Sequence, residues 1–142
     1  MKIYQAGPLF TQPEQTWHRA TRQRFIDAGF DTLWPGDLLS QADIDAWGAD
    51  APRKICETDR QALETCDVVV ALLDGVQVDD GTAWEIGYAF ARNIPVIGIR
   101  TDCRQAGETA YSRVNAMIEG SCIAIVRTFE ETLQVLSAMQ KG

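Results

Sequence analysis

The sequence predicts an α/β fold: a five-stranded parallel sheet with helices on both faces. Three observations carry that expectation. Short β-rich runs alternate with helical stretches along the whole chain. One run, Val68 to Leu72, is apolar and mostly β-branched throughout, the signature of a strand buried on both faces. No repeat, linker or low-complexity tract interrupts the 142 residues, a length that suits one domain. Strands joined through helices run parallel, because a parallel pair needs a long crossover.

The elements follow in order. Ile3 to Ala6 is the first strand. Pro13 to Ala28 is a helix: Pro13 suits a first turn, Gly29 suits the end, and Trp17, Ala20, Thr21, Phe25 and Ala28 share a face. On that helix His18 has no evident partner and reads as an exposed residue. Phe30 to Trp34 is a second strand, stopped by Pro35-Gly36. Asp37 to Ala51 is polar with scattered Leu, Ile and Trp, and reads as a short helix within a mobile segment. Pro52 to Thr65 is a long helix ahead of the buried strand. Thr82 to Arg92 is a helix, Pro95 to Ile99 a strand, and Arg100 to Arg113 a loop. Val114 to Glu119 is a short helix, Cys122 to Val126 the last strand, and Phe129 to Met139 the closing helix. This order gives a doubly wound, flavodoxin-like sandwich, expected as a single domain over residues 1–142. Ligands of such sheets bind outside the carboxyl ends of the strands. The positions to inspect are those just after Ala6, Trp34, Leu73, Ile99 and Val126.

Composition removes several function classes. Hydrophobic residues are 46% and charged residues 23%, which excludes disorder and coiled coil. The run Val68 to Leu73 is far too short to span a membrane. The first residues enter a strand pattern without the apolar region of a signal peptide, so a cytoplasmic location is expected. Net charge is −7, and a field of that sign disfavours nucleic-acid polymers and anionic membranes as partners. Cys56, Cys66, Cys103 and Cys122 form no C-x-x-C pair, and His18 is the lone histidine. A structural zinc site is therefore not expected, and the thiols read as reduced and mostly buried.

No G-x-G-x-x-G follows a strand, no P-loop is present, and no G-x-S-x-G occurs. Acids gather at the strand ends instead. Gly7-Pro8-Leu9-Phe10 follows the first strand; Asp74-Gly75 and then Asp79-Asp80-Gly81-Thr82-Ala83-Trp84-Glu85 follow the third. Glu85 has two readings. Thr82 with Glu85 three residues on fits a capping box, a purely structural role. In the same place a carboxylate at the positive end of a helix dipole is held ionised, as a nucleophile at a sugar anomeric carbon must be. Tyr4, near the carboxyl end of the first strand, is either a core tyrosine or the group that reaches across to hold Glu85. Asp59 lies on the helix whose apolar face is Ile55, Ala62 and Leu63, where a solvated carboxylate is the ordinary reading. Asp74 and Asp79 also suit turns. Trp34, Trp47 and Trp84 either stack on a base or pack the core.

Taken together, Tyr4 to Phe10, Asp67 to Gly75, Asp79 to Ala89 and the element Asn115-Ala116-Met117 give the chain a likeness across nearly its whole length. It resembles the nucleoside 2-deoxyribosyltransferases. The resemblance implies that Glu85 attacks C1′ and expels the base, that Tyr4 positions Glu85, and that Asp59 contacts the nucleobase and handles its proton. It implies that Asp79 lies near the sugar 5′-hydroxyl, and that Gly7, Phe10 and Asp74 sit in the substrate-binding segments. Asn115 and Met117 match an N-x-M element that reaches into a neighbouring subunit's site, so a homo-oligomer of at least two chains is expected. Nucleosides and nucleobases are the implied small-molecule partners, and the chemistry needs no metal or organic cofactor.

Two rivals share this fold. An N-glycoside hydrolase of nucleosides or their 5′-monophosphates differs in its first loop, which carries hydroxyls, glycines and an arginine where this chain has Pro8-Leu9-Phe10. It also has a serine where this chain has Asp79, an acid that would repel a 5′-phosphate. A non-catalytic nucleotide sensor and a phospho-acceptor receiver module are a further class on this fold. A receiver would need an acid pair after the first strand and a lysine after the last, where Gly7-Pro8 and Arg127-Thr128 stand, and a pure binding module would give no product.

Overall fold

The computed structural model describes residues 1–141; Gly142, the last residue of the expected domain, lies outside them. The strands are β1 (Lys2–Ala6), β2 (Asp31–Leu33), β3 (Val68–Leu72), β4 (Val96–Ile99) and β5 (Ala124–Val126). The helices are α1 (Gln12–Asp27), α2 (Gln41–Trp47), α3 (Ala51–Glu64), α4 (Asp80–Ala91), α5 (Ala116–Ser121) and α6 (Phe129–Lys141). All pairings are parallel, and the spatial order is β2-β1-β3-β4-β5. The chain winds outward from β1 to β2, then returns to place β3 on the other side of β1. The switch point, where a crevice opens, therefore lies between β1 and β3.

Alternation along the strands builds two cores. Tyr4, Ala6, Val69 and Ala71 pack with Leu63 of α3 and with Ile86 and Ala89 of α4 on one face. Ile3, Val68, Val70, Ile97 and Ile99 pack with Phe25 of α1 and Leu136 of α6 on the other. The register sets Tyr4 beside Val69 and Ala6 beside Ala71. One residue's slip would turn Tyr4 away from α4. Gly98 is required by close approach: a Cβ there would stand 2.5 Å from Leu73 Cδ1.

Several local expectations are corrected. β2 is shorter than Phe30–Trp34, because Phe30 and Trp34 leave the ladder to fill the core. The 37–51 segment is more ordered than expected: 3-10 turns at Pro35–Asp37 and Gly48–Asp50 flank α2, which Ser40 caps reciprocally with Asp43. On α1 the inward residues are His18, Thr21 and Phe25, whereas Ala20 and Ala28 are exposed. All four cysteines are free, yet Cys56 and Cys103 are exposed. Among the described residues no helix is long and apolar enough to cross a membrane.

Candidate active site

The site is assembled at the switch point. Tyr4 of β1 is fully buried, and its hydroxyl donates to Glu85 Oε1 at 2.5 Å. The two residues are 81 positions apart in sequence. What joins them is the β1–β3 pairing together with the packing of α4 over that face. Burial pushes the Glu85 carboxyl up to about 7; the Tyr4 hydrogen bond opposes that rise, and the charges of Asp59 and Asp79 add to it. Asp59, on α3, is itself pushed up to about 6 by burial. It is thus not a solvated face residue. Its charge, with that of Glu85, also raises the Tyr4 phenol, for which burial is the main cause. A phenol held protonated so firmly can only donate to the carboxylate.

The capping-box reading of Glu85 does not hold. Asp79 is the N-cap of α4, and its Oδ2 accepts from the Thr82 amide at 2.9 Å and the Thr82 hydroxyl at 3.0 Å. α4 therefore begins two residues earlier than Thr82. Glu85 falls in the second turn, beyond the reach of the terminal amides that make the dipole felt. Freed from capping, its side chain turns to β1. The expected depression of its pKa by the dipole is corrected with it: desolvation is the larger effect.

His18 is the clearest miss. It is fully buried, Nδ1 lies 2.8 Å from Gln5 Nε2, and the ring stacks on Trp34 with centroids 5.6 Å apart. Burial pushes it down to about 4, against a smaller upward pull from the Pro8 backbone. The spacing His18, Thr21, Phe25 carried the signal, since it is a helical stripe. Gly7 is the other half of that fit: a Cβ there would stand 2.6 Å from the His18 ring. The turn leaving β1 toward the site is thus seated on α1.

The remaining candidates are spread more widely. Asp74 accepts from the Thr101 amide at 2.6 Å and the Asp102 amide at 2.9 Å, and from the Thr101 hydroxyl, which ties the β3 end to the β4 end. Phe10 is 77% exposed on the loop before α1. Trp84, on α4, is exposed and stacks on Tyr88, whose hydroxyl donates to Glu64 of α3. Trp34 is buried in the core, and Trp47 lies under Lys54. Asn115 caps α5, donates to Glu108 and accepts from the Met117 amide, while Met117 is 79% exposed. Asn115 and Met117 line a groove of about 820 Å³ with Asp80, Ala83, Ile86 and Phe90 of α4. Those α4 positions form one helical face, and Glu85 projects from another. That groove is therefore not where the reactive carboxylates meet. Within one chain Tyr4, Asp59 and Asp79 gather around Glu85; Asn115 and Met117 do not.

With this geometry in view, comparison with known proteins is decisive for the family. The family model for nucleoside 2-deoxyribosyltransferases matches residues 3–120. The chain belongs to that family. It is 30% identical to a conserved protein from Enterococcus faecalis V583, with a TM-score of 0.79 over 94% of this chain and 95% of that one. A 2-deoxyribosyltransferase from Bacillus psychrosaccharolyticus shares the fold at 23% identity and a TM-score of 0.73, covering 93% of this chain and 90% of that one. A CMP N-glycosidase from Clostridium botulinum shares it at 20% identity and a TM-score of 0.57, covering 96% of this chain and 99% of that one. An uncharacterised protein of Schizosaccharomyces pombe is 32% identical over 115 residues, which are 78% of this chain and 54% of that protein. The chain thus spans about half the length of that relative.

Proposed function

We propose that the protein transfers a 2-deoxyribosyl group between nucleobases by a retaining double displacement through Glu85. The observation that carries this reading is the hydrogen bond from the buried Tyr4 to Glu85, with the half-buried Asp59 close enough to perturb both. Cleavage of an N-glycosidic bond develops positive charge at C1′. A Glu85 oxygen stabilises that charge and then closes on C1′, forming a glycosyl ester as the C1′–N bond breaks. The electron pair leaves on the base nitrogen, which takes a proton from Asp59. With Asp59 raised to about 6 and Glu85 to about 7, the form with the proton on Asp59 and the charge on Glu85 is a minority species near neutral pH, and Tyr4 keeps Glu85 oriented and favours its ionised form. A second base then attacks C1′, returns a proton to Asp59 and releases Glu85. Neighbouring carboxylates of this kind titrate as a pair, so the rate is bell-shaped in pH with limbs around 6 and 7.

The apolar first loop and the Asp79 carboxylate support a free nucleoside over a 5′-phosphate, since the negative charge that acts on Glu85 also opposes a phosphate. Asn115 and Met117, which line a groove on another face of α4 from Glu85, are assigned to a neighbouring subunit's site.

Incubation of a 2′-deoxynucleoside with a second free base tests this reading. The new deoxynucleoside should appear, and Glu85→Ala should lose at least about a thousandfold in rate. Free sugar formed whether or not an acceptor base is present would establish the hydrolase instead. No turnover at all would establish a binding module. Light scattering on the active protein should give a dimer or a multiple of it; an active monomer would remove the shared-site assignment.

A further inference from the structure

Past the ends of β4 and β5 the chain encloses a second cavity of about 240 Å³. Arg100, Arg104, Arg113 and Arg127 all line it. On a chain with net charge −7, four of the 13 basic side chains converge at one place. Their partners do not account for the charge. Arg100 is 3% exposed and donates to the carbonyls of Leu73, Gly75 and Arg104, and its Nε has no partner. Arg113 donates to the Ile125 carbonyl at 2.5 Å. Among the described residues Arg100, Arg113 and Arg127 form no ion pair, and only Arg104 meets a carboxylate, that of Asp102. The carboxylates of Glu119 and Glu131 are engaged by the backbone amides of Arg113 and Arg127. Carbonyl acceptors satisfy N–H groups but supply no counter-charge, and guanidiniums that share one cavity repel one another.

We propose that this cavity is an anion site for a phosphate group, free or carried by a phosphomonoester. The planar N–H fork of arginine matches phosphate oxygens. Ser112 and Gln105 also line the cavity, the one paired with the Thr109 hydroxyl and the other donating to the Ala110 carbonyl. The volume suits a phosphate and its adjoining carbons, not a whole nucleotide. The remainder of an ester would lie against Tyr111, which is 94% exposed at the rim. No residue of the Glu85 cluster lines this cavity. Arg100 nevertheless connects the two places, because it holds the Leu73 and Gly75 carbonyls where the chain leaves β3 for α4. An occupied site would firm that turn.

Inorganic phosphate is the first probe, titrated into the intact protein at constant ionic strength and followed by calorimetry and by the thermal midpoint. A saturable heat and a midpoint rise of several degrees are expected, with neither on adding chloride. Arg127→Gln removes a guanidinium that makes no hydrogen bond or ion pair among the described residues. It should weaken phosphate binding at least about tenfold while leaving the phosphate-free midpoint unchanged. Arg113→Gln should weaken it similarly. Tighter binding of ribose 5-phosphate than of phosphate would identify an ester as the ligand, and equal binding free phosphate. Absence of saturation, or unchanged affinity in both arginine variants, would overturn the proposal. So would loss of phosphate binding in Glu85→Gln, which would place the anion in the cleft. None of these readings depends on turnover, so failure of the proposed transfer reaction is scored separately.

Discussion

Two ends of one sheet edge treat carboxylates in opposite ways. Between β1 and β3, Glu85 is half-buried beside Asp59 and Asp79, and desolvation is the main cause that pushes it up to about 7. Past β4, Asp102 is held far below the ordinary range, chiefly by hydrogen bonds from the Arg104 side chain and backbone. The residue types are similar; what differs is water and counter-charge. An acid stripped of solvent among other acids holds its proton, whereas an acid against a guanidinium gives it up. A raised carboxyl poised near neutrality is a chemical tool, and a depressed one is a fixed anion.

The largest effect that sharpens the contrast is Tyr4→Phe. It removes a charge-assisted hydrogen bond worth about 1.5–3 kcal/mol, so the exchange rate should fall roughly 10- to 100-fold. Because that bond lowers the Glu85 pKa, its loss should also move the limb of the pH–rate profile near 7 upward. A rate loss with an unmoved limb would show that Tyr4 only packs.

Neutralising each acid should then change stability with opposite sign. The folded-state pKa of Glu85 lies above its unfolded value of 4.5. Its contribution is therefore fully present below pH 4.5 and is lost as pH rises through about 7. Glu85→Gln keeps an acceptor for Tyr4 and should stabilise the protein above pH 7, by up to about 3 kcal/mol, with the gain vanishing at acid pH. Asp102 has the reverse sign. Its contribution is present above the unfolded value of 3.8 and is lost as pH falls. Asp102→Asn should destabilise slightly at neutral pH and not in strong acid, a small effect because the pair is near the surface. Denaturant midpoints at pH 4 and pH 8 check Glu85 and those at pH 2 and pH 8 check Asp102, and equal signs would break the comparison.

Much of this was legible in the chain. The all-apolar β3 run and the alternation of strand and helix announced the parallel sheet, and the Asp79–Ala89 block pointed to Glu85. The end of α4 nearest the site was misread because two N-cap solutions, Asp79 and Thr82, lie three residues apart, and local spacing does not choose between them. His18 was misread for a different reason. Its burial depends on Gly7 offering space where any other residue would carry a Cβ.

Residue order by itself determined the alternation of strands and helices, the strand buried on both faces and which carboxylate stands at the switch point, since periodicity and strand composition are local properties. The sign of the Glu85 shift, the burial of His18 and the convergence of the arginines were decided only by folding. Desolvation and Coulomb energy depend on distance in space, and Tyr4 reaches Glu85 across 81 positions that no local pattern spans.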